Sequence, residues 1–340
     1  KFTEPRSFKL DDVAADALDE TKIEHQEQGY FEMYRDDPVK FVNYNVKDTR
    51  LTVGVNEEEN VLGFKKRLKD MVGVDWRRTH QNNEYIEMSV RRKCAEHDLA
   101  MITAWDNSYV ANSDNDGVNY EGAHVESAFS GVKYNVCGVD LASLYPMTQW
   151  MLNASPDTRI EVEKGTPEWY ELKAEINGQY VEAANDQMFR TDHDGIIREL
   201  VDEYHEVKAE FKAQRNSAEY GTDLWDEYAE AYNVTKTIYN SFYGYSGWAR
   251  SPLYNPEDAA AITLTGQRVI KATSEYISEN AAEGAEVVYG DTDSNYVEFP
   301  TDWSQEYTLA YAEKLCAELE SQVYPVLCDE FNIPREHNRW

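Results

Sequence analysis

Apolar and polar positions alternate along this chain in stretches of two different periods. Residues 10–53 read as helical, with a turn near Asp36-Asp37-Pro38, where the residue before a proline leaves the helical region. Residues 106–119, DNSYVANSDNDGVN, are polar and rich in turn formers, so they read as a loop. The string VKYNVCGVDLASLYP that follows reads as a buried strand running into a tight turn before Pro146. Leu200, Tyr204, Val207 and Phe211 recur at helical spacing, and residues 195–238 read as two long helices around a break near Asn216–Gly221. Residues 286–299, EVVYGDTDSNYVEF, read as a hairpin: an apolar strand, a Gly-Asp turn and a second strand. Residues 304–331 read as one further amphipathic helix. Strand, long helices, hairpin, helix is the order of an α+β domain with a helical excursion.

Composition narrows the class. The chain has 340 residues, 41% of them hydrophobic, enough for two or three domains with packed cores. No apolar run approaches the 18 residues or so that a membrane helix needs, and the polar start KFTEPRSFKL is no signal peptide, so a cytoplasmic location is expected. The first residue is Lys1 rather than Met, which reads as a fragment of something longer. Cys94, Cys137, Cys316 and Cys328 form no CxxC pair and read as free thiols in a reducing compartment.

Charge changes the picture more. Asp and Glu total 64 against 33 Lys and Arg, a net charge of -31. Such a surface ordinarily repels phosphates. At molar salt, however, the Debye length falls to about 3 Å, and a carboxylate-rich surface keeps a protein soluble. The balance therefore points to a halophilic source, the competing reading being a merely acidic mesophilic protein whose charge says nothing about substrate. Against it stands a local basic excess: Lys65, Lys66, Arg67, Lys69, Arg77, Arg78, Arg91, Arg92 and Lys93. It reads equally as a nucleic-acid-facing surface or as a solvated helix face.

Three strings carry chemistry. Tyr289-Gly290-Asp291-Thr292-Asp293-Ser294 sets two carboxylates two residues apart. On an extended backbone they share a side, and two like charges side by side call for a divalent cation or a shared proton. The competing reading is a solvated Asp-rich turn. Asp140-Leu141-Ala142-Ser143-Leu144-Tyr145-Pro146 delivers Asp140 at the end of an apolar strand, where a buried carboxylate needs a metal or a hydrogen-bonding partner. Asp140 and one hairpin carboxylate could bridge two Mg²⁺ ions for in-line displacement at phosphorus. In Lys236-Thr237-Ile238-Tyr239-Asn240-Ser241-Phe242-Tyr243-Gly244, a helix puts Lys236, Asn240 and Tyr243 on one face. That stripe suits a nucleoside triphosphate, with Lys208 and Lys212 as further phosphate partners. A surface lysine beside core aromatics explains the same string.

Together and in this order, the three strings resemble motifs A (DxxSLYP), B (KxxxNSxYG) and C (YGDTDS) of the family B DNA polymerases. Tyr120-Glu121-Gly122-Ala123 resembles the family's YxGG/A element, and Thr265-Gly266-Gln267-Arg268 its segment between motifs B and C. Tyr44-Asn45-Val46-Lys47-Asp48 resembles the YxxxD motif of the 3′–5′ proofreading exonuclease.

The resemblance implies a DNA-directed DNA polymerase with an α+β palm, inserted helical fingers and a preceding remnant of an RNase H-like exonuclease. Its expected divisions are an exonuclease remnant over 1–60, a connecting region over 61–130, palm over 131–194, fingers over 195–245 and palm again over 246–340. It implies that Asp140 and Asp293 hold two Mg²⁺ ions (or Mn²⁺), with the Leu141 carbonyl on one of them and Asp291 in a supporting role. Ser143 and Leu144 are expected to offer amides to the triphosphate, and Tyr145 to bar a 2′-hydroxyl. Lys236 and Asn240 are expected on the triphosphate, and Tyr243 and Gly244 at the nascent base pair. Primer-template DNA and dNTPs are the implied partners, with a processivity clamp or missing polymerase segments beside them. Departures temper this. The other exonuclease motifs do not appear before Tyr44, and no thumb element follows motif C, so Tyr44 and Asp48 are not expected to support proofreading. The 96 residues from Asp140 to Lys236 leave little room for a protein-priming insertion. The alternative is a catalytically incomplete fragment or a non-catalytic DNA-binding relative that needs a partner chain.

Overall fold

A computed structural model describes residues 6–23, 29–101, 125–127, 131–249 and 251–340. The loop read at 106–119 and the Tyr120–Ala123 element lie outside the described residues. The chain divides into two compact units, Lys1–His80 and Gln81–Trp340.

The described part of the first unit is helical, with α1 (Leu10–Leu18), α2 (Tyr30–Asp36), α3 (Pro38–Glu59) and α4 (Val61–Val72). The run read over 10–53 is broken twice. Asp19 turns left-handed at φ 54 and stops α1. At Asp37 the chain restarts: the Asp37 carboxylate accepts from the Lys40 amide at 2.9 Å, and Pro38 opens α3 without wasting an amide. Helices α1 and α2 pack on α3, whose Tyr44 and Leu51 are buried.

The second unit begins with α5 (Asn82–Glu96) and is built on a four-stranded antiparallel sheet. Its strands are β1 (Val125–Ser127), β2 (Val136–Asp140), β6 (Glu286–Asp291) and β7 (Ser294–Glu298), in the order β1-β6-β7-β2. After β2 comes α6 (Leu144–Met151). A small three-stranded sheet follows, made of β3 (Arg159–Ile160), β4 (Tyr180–Glu182) and β5 (Met188–Arg190) in the order β3-β5-β4. Helix α7 (Pro167–Glu175) lies between β3 and β4 in sequence, and its Trp169 shares a cluster with Ile160, Ile176 and Met188. The helical excursion is α8 (Ile196–Ser217) and α9 (Asp223–Gly247), packed along one another across the expected break. Helix α8 starts where the 153–157 turn meets its free amides: Asn153 Oδ1 accepts from the Gly195 amide at 2.9 Å and Ser155 Oγ from Ile197 at 3.3 Å. A Cβ on Gly195 would lie 2.6 Å from that of Ser155, so this junction requires glycine.

Helix α10 (Pro256–Asn280) runs behind the main sheet. Its Ala259, Ile262, Val269, Ile270 and Ile277 are buried, as are Val139, Val288 and Val297 of the strands. Burying one such side chain contributes about 1.5–3 kcal/mol. That exceeds the ~1 kcal/mol net worth of a hydrogen bond, so this seam fixes which sheet face is covered. The opposite face carries Gly138, Asp140, Tyr289, Asp291 and Tyr296 toward solvent.

Two readings are corrected. The hairpin turn is Thr292-Asp293, not Gly290-Asp291, because β6 keeps its pairing through Asp291↔Ser294. The run 304–331 is not one helix: α11 (Gln305–Glu318) passes through a π-helical turn, Leu319–Val323, into α12 (Tyr324–Glu330). Pro325 supplies the reason, since it has no amide for the regular ladder and its ring crowds the carbonyl four residues back. Of the basic stretch, Lys69, Arg77, Arg91, Arg92 and Lys93 each pair with a carboxylate, which favours the solvated-face reading. The four cysteines are free, with Cys94 and Cys328 buried. Among the described residues no helix is long and apolar enough to cross a membrane.

Candidate active site

The site is assembled by one strand pairing. Strands β2 and β7 run antiparallel with Asp140 opposite Ser294. The hairpin turn is thereby delivered to the end of β2, and the Leu141 amide donates to the Asp293 carbonyl at 2.8 Å. Thr292 takes a left-handed conformation, φ 56, and the Asp293 amide reaches back to the Asp291 carbonyl at 2.6 Å. This tight turn removes the premise that Asp291 and Asp293 lie side by side on an extended backbone.

The turn separates their roles. Asp291 is exposed, and its two oxygens accept from the Tyr289 hydroxyl at 3.3 Å and the Thr292 hydroxyl at 3.0 Å. Asp293 points toward Asp140. The Ser294 hydroxyl lies 2.6 Å from Asp140 Oδ1 and 3.5 Å from Asp293 Oδ1. It has one proton to give, and the shorter contact takes it. Burial raises the pKa of Asp293, and the negative charge of Asp140 raises it further. The two carboxylates thus converge with one hydroxyl between them and excess negative charge.

These donors fit a hard divalent cation. Among the described residues no group of three or more His, Cys, Asp or Glu side chains gathers as a closed metal cage. A pair of carboxylates that leaves other positions to water and phosphate oxygens suits Mg²⁺.

Beyond Asp140 the chain turns sharply. Ser143 is left-handed, φ 63, and precedes α6, whose first-turn amides face outward from the helix end. Pro146 has no amide to leave unpaired there. The Ser143 hydroxyl lies 3.2 Å from Lys208 Nζ of α8. That ammonium sits 3.9 Å from the ring centre of Tyr239 on α9, a cation–π contact. Burial lowers the Lys208 pKa, and Lys236 and Lys212 lower it further. Three lysines from two helices thus share one electrostatic neighbourhood, on the surface of a chain of charge -31.

Helix α9 divides as its sequence pattern requires. Val234, Ile238, Tyr239, Phe242 and Tyr245 are buried, while Lys236, Asn240 and Gly244 are exposed and Tyr243 is half-buried. Tyr243 stacks on Tyr145, with ring centres 4.7 Å apart and an interplanar angle of 30°. A Cβ on Gly244 would meet nothing within 4 Å, so no close approach of protein atoms demands glycine there. Ser294, Tyr239 and Gly266 complete the site without having been singled out for it. All three stand in strings quoted from the sequence, but their parts in the site come only through contacts between distant segments.

Tyr44 and Asp48 belong to the first unit. They lie one turn apart on α3. The Tyr44 hydroxyl is 3.4 Å from that of Tyr30, and Asp48 is paired with Lys22 at 2.7 Å.

The sequence model of DNA polymerase family B matches residues 74–335, well over half the chain. The chain belongs to this family. A DNA polymerase of Archaeoglobus fulgidus is 35% identical over 184 residues, covering 53% of this chain and 21% of its own length. That of Paramecium bursaria Chlorella virus NY2A is 32% identical over 186 residues, 52% of this chain and 20% of the viral protein. The chain spans about a fifth of the length of these relatives. The solved family B DNA polymerase of Pyrobaculum calidifontis superposes with a TM-score of 0.66 at 21% identity, covering 94% of this chain and 39% of the other. At that identity the likeness establishes the fold: an α+β sheet with packed helices and a helical excursion.

Proposed function

We propose that the second unit is the nucleotidyl-transfer centre of a DNA-directed DNA polymerase, adding deoxynucleotides from dNTPs to a primer 3′-hydroxyl on a DNA template. The observation that carries this is the meeting of Asp140 and Asp293 at Ser294, three residues before a Ser143–Lys208 contact that opens a lysine-lined surface. Two sites of opposite charge lie within one turn of chain, one for cations and one for a polyphosphate.

Asp140 and Asp293 would hold two Mg²⁺ ions, with Mn²⁺ as a substitute and the Leu141 carbonyl as a further ligand. When bound, these ions activate the attacking hydroxyl and offset charge on the departing pyrophosphate. The protein's own groups do the rest. Lys208, Lys212, Lys236 and Asn240 hold the triphosphate, the amides of Ser143 and Leu144 receive phosphate oxygens, and Asp291 steadies the turn. Tyr145 lies under the sugar and rejects a 2′-hydroxyl, while Tyr243 and Gly244 border the nascent base pair. On this reading α8 and α9 are fingers (195–245), and the main sheet with its helices is palm (131–194 and 246–340). Residues 61–130 lead to the palm, and residues 1–60, with Tyr44 and Asp48, are an exonuclease remnant. The deciding experiment is primer extension at molar salt with Mg²⁺, with the chain alone and then supplemented with polymerase segments that its relatives have and this chain does not span. Extension that disappears in Asp140→Ala supports the reading, and no extension in either mixture sinks it.

A further inference from the structure

The sequence marks Thr265-Gly266-Gln267-Arg268 without assigning it a task. Thr265 accepts from the Ala184 amide at 3.1 Å, and Arg268 pairs with Glu330 at 3.0 Å. Gly266 has no such duty. It is buried in the middle of α10, where glycine is a poor helix former and alanine the best one. Some close approach must offset that cost, and it is the ring of Tyr145. A Cβ built on Gly266 would lie 3.2 Å from Cε1 and 3.4 Å from Cδ1 of Tyr145, and 3.4 Å from Cδ2 of Leu144. On another side the ring is stacked on Tyr243. Tyr145 therefore touches the bare backbone of α10 and, separately, an aromatic ring of α9.

We infer that Gly266 is a positioning residue for sugar selection, setting how deeply the Tyr145 ring sits below the incoming nucleotide. This deepens the polymerase reading of the same site and rests on it. The sign follows from the polymerase reading, in which the sugar lies over the side of the Tyr145 ring that α10 does not touch. Helix α10 is buried on the sheet and does not retreat, whereas the half-buried Tyr145 can move. A methyl group at 266 shifts the ring by a few tenths of an ångström, away from α10 and toward the nucleotide. Less space then remains beneath the sugar, and the larger ribose loses more than the deoxyribose.

The test compares wild type, Gly266→Ala, Tyr145→Ala and the double variant. The readout is the ratio of kcat/KM for a deoxynucleotide over its ribonucleotide in primer extension, with KM and kcat resolved. Calorimetric binding of dATP and ATP to the chain on primer-template in Ca²⁺ gives the same ratio without catalysis. Gly266→Ala should raise the ratio at least about threefold, through KM rather than kcat, as small misplacements of a substrate-positioning surface do. In the Tyr145→Ala background the same substitution should change nothing, because no ring is left to push. The inference is overturned if Gly266→Ala leaves both ratios unchanged while its melting temperature is native-like. It is equally overturned if the change persists undiminished without the Tyr145 ring. Should Asp140→Ala abolish extension while Gly266→Ala leaves selectivity alone, the polymerase reading stands and only this inference falls. If wild type neither extends a primer nor binds dATP, both fall.

Discussion

Asp48 and Asp293 are both aspartates marked by a motif, and their surroundings are opposite. Asp48 faces Lys22, an ammonium that answers its charge, and burial leaves the pair about a quarter exposed. Asp293 faces Asp140, a second anion, across one serine hydroxyl. The first arrangement answers one charge with its opposite and has the form of a structural ion pair. The second is short of positive charge and becomes comfortable only with a cation from solution. A motif names a residue type, and the neighbour decides whether that residue is a strut or a ligand.

Removing the carboxylates should give the largest separation. Asp293→Ala and Asp140→Ala should each cost about 3–5 kcal/mol of transition-state stabilisation, roughly 10²–10⁴ in rate. Asp48→Ala should leave extension rates at the wild-type level. Asp291→Ala should cost less than Asp293→Ala, since its oxygens are occupied by Tyr289 and Thr292, and equal losses would show the pair to be wrongly divided.

Asp258 tests the comparison from between. It has a cationic partner, Arg159 at 3.4 Å, yet it is buried deeply enough that its pKa rises to about 6. The folded value lies above the unfolded one, so this group favours folding most below about pH 4 and loses that contribution as pH rises through 6. Asp258→Asn should therefore raise stability at pH 8 by about 3 kcal/mol at most, and do little at pH 4. Chemical denaturation at the two pH values checks this, and an equal effect at both would return Asp258 to the Asp48 class.

Lys208→Ala should raise the KM for dNTP about tenfold, the scale of one lost charge-assisted contact. Steady-state titration reads it. The smallest effect belongs to Lys22→Met. A partly exposed ion pair is worth about 0–1 kcal/mol, so the first unit should lose no more than that in a thermal melt. A larger loss would mean that Asp48 depends on its partner as a buried charge does.

The chain's three motifs were legible because each is a contiguous string whose residue types carry their chemistry. The helical face of Lys236, Asn240 and Tyr243 was legible from period alone. The turn at Thr292-Asp293 was misplaced by two residues, because Gly290 is as good a turn former in sequence as it is a strand residue once β1 and β7 flank it. Strands β3, β4 and β5 are two or three residues long, too short to leave a period. Gly266 and Tyr239 were invisible as site residues. Their roles exist only where α10 meets Tyr145 and where α9 meets Lys208, and no local pattern encodes a contact between distant segments.

The Ser294–Asp140 hydrogen bond joins residues 154 apart in sequence, whereas Asp291, Thr292 and Asp293 sit in one two-residue hairpin. Hairpins close in microseconds, while pairings between distant segments are slow because the intervening loop must be ordered first. The acidic turn should thus be native-shaped well before Asp140 arrives beside it. In a refolding experiment, hairpin protection from hydrogen exchange should come early. High-affinity Mn²⁺ binding should come late, with the docking of β2, so that the order in which the chain condenses sets when the site can first take up an ion.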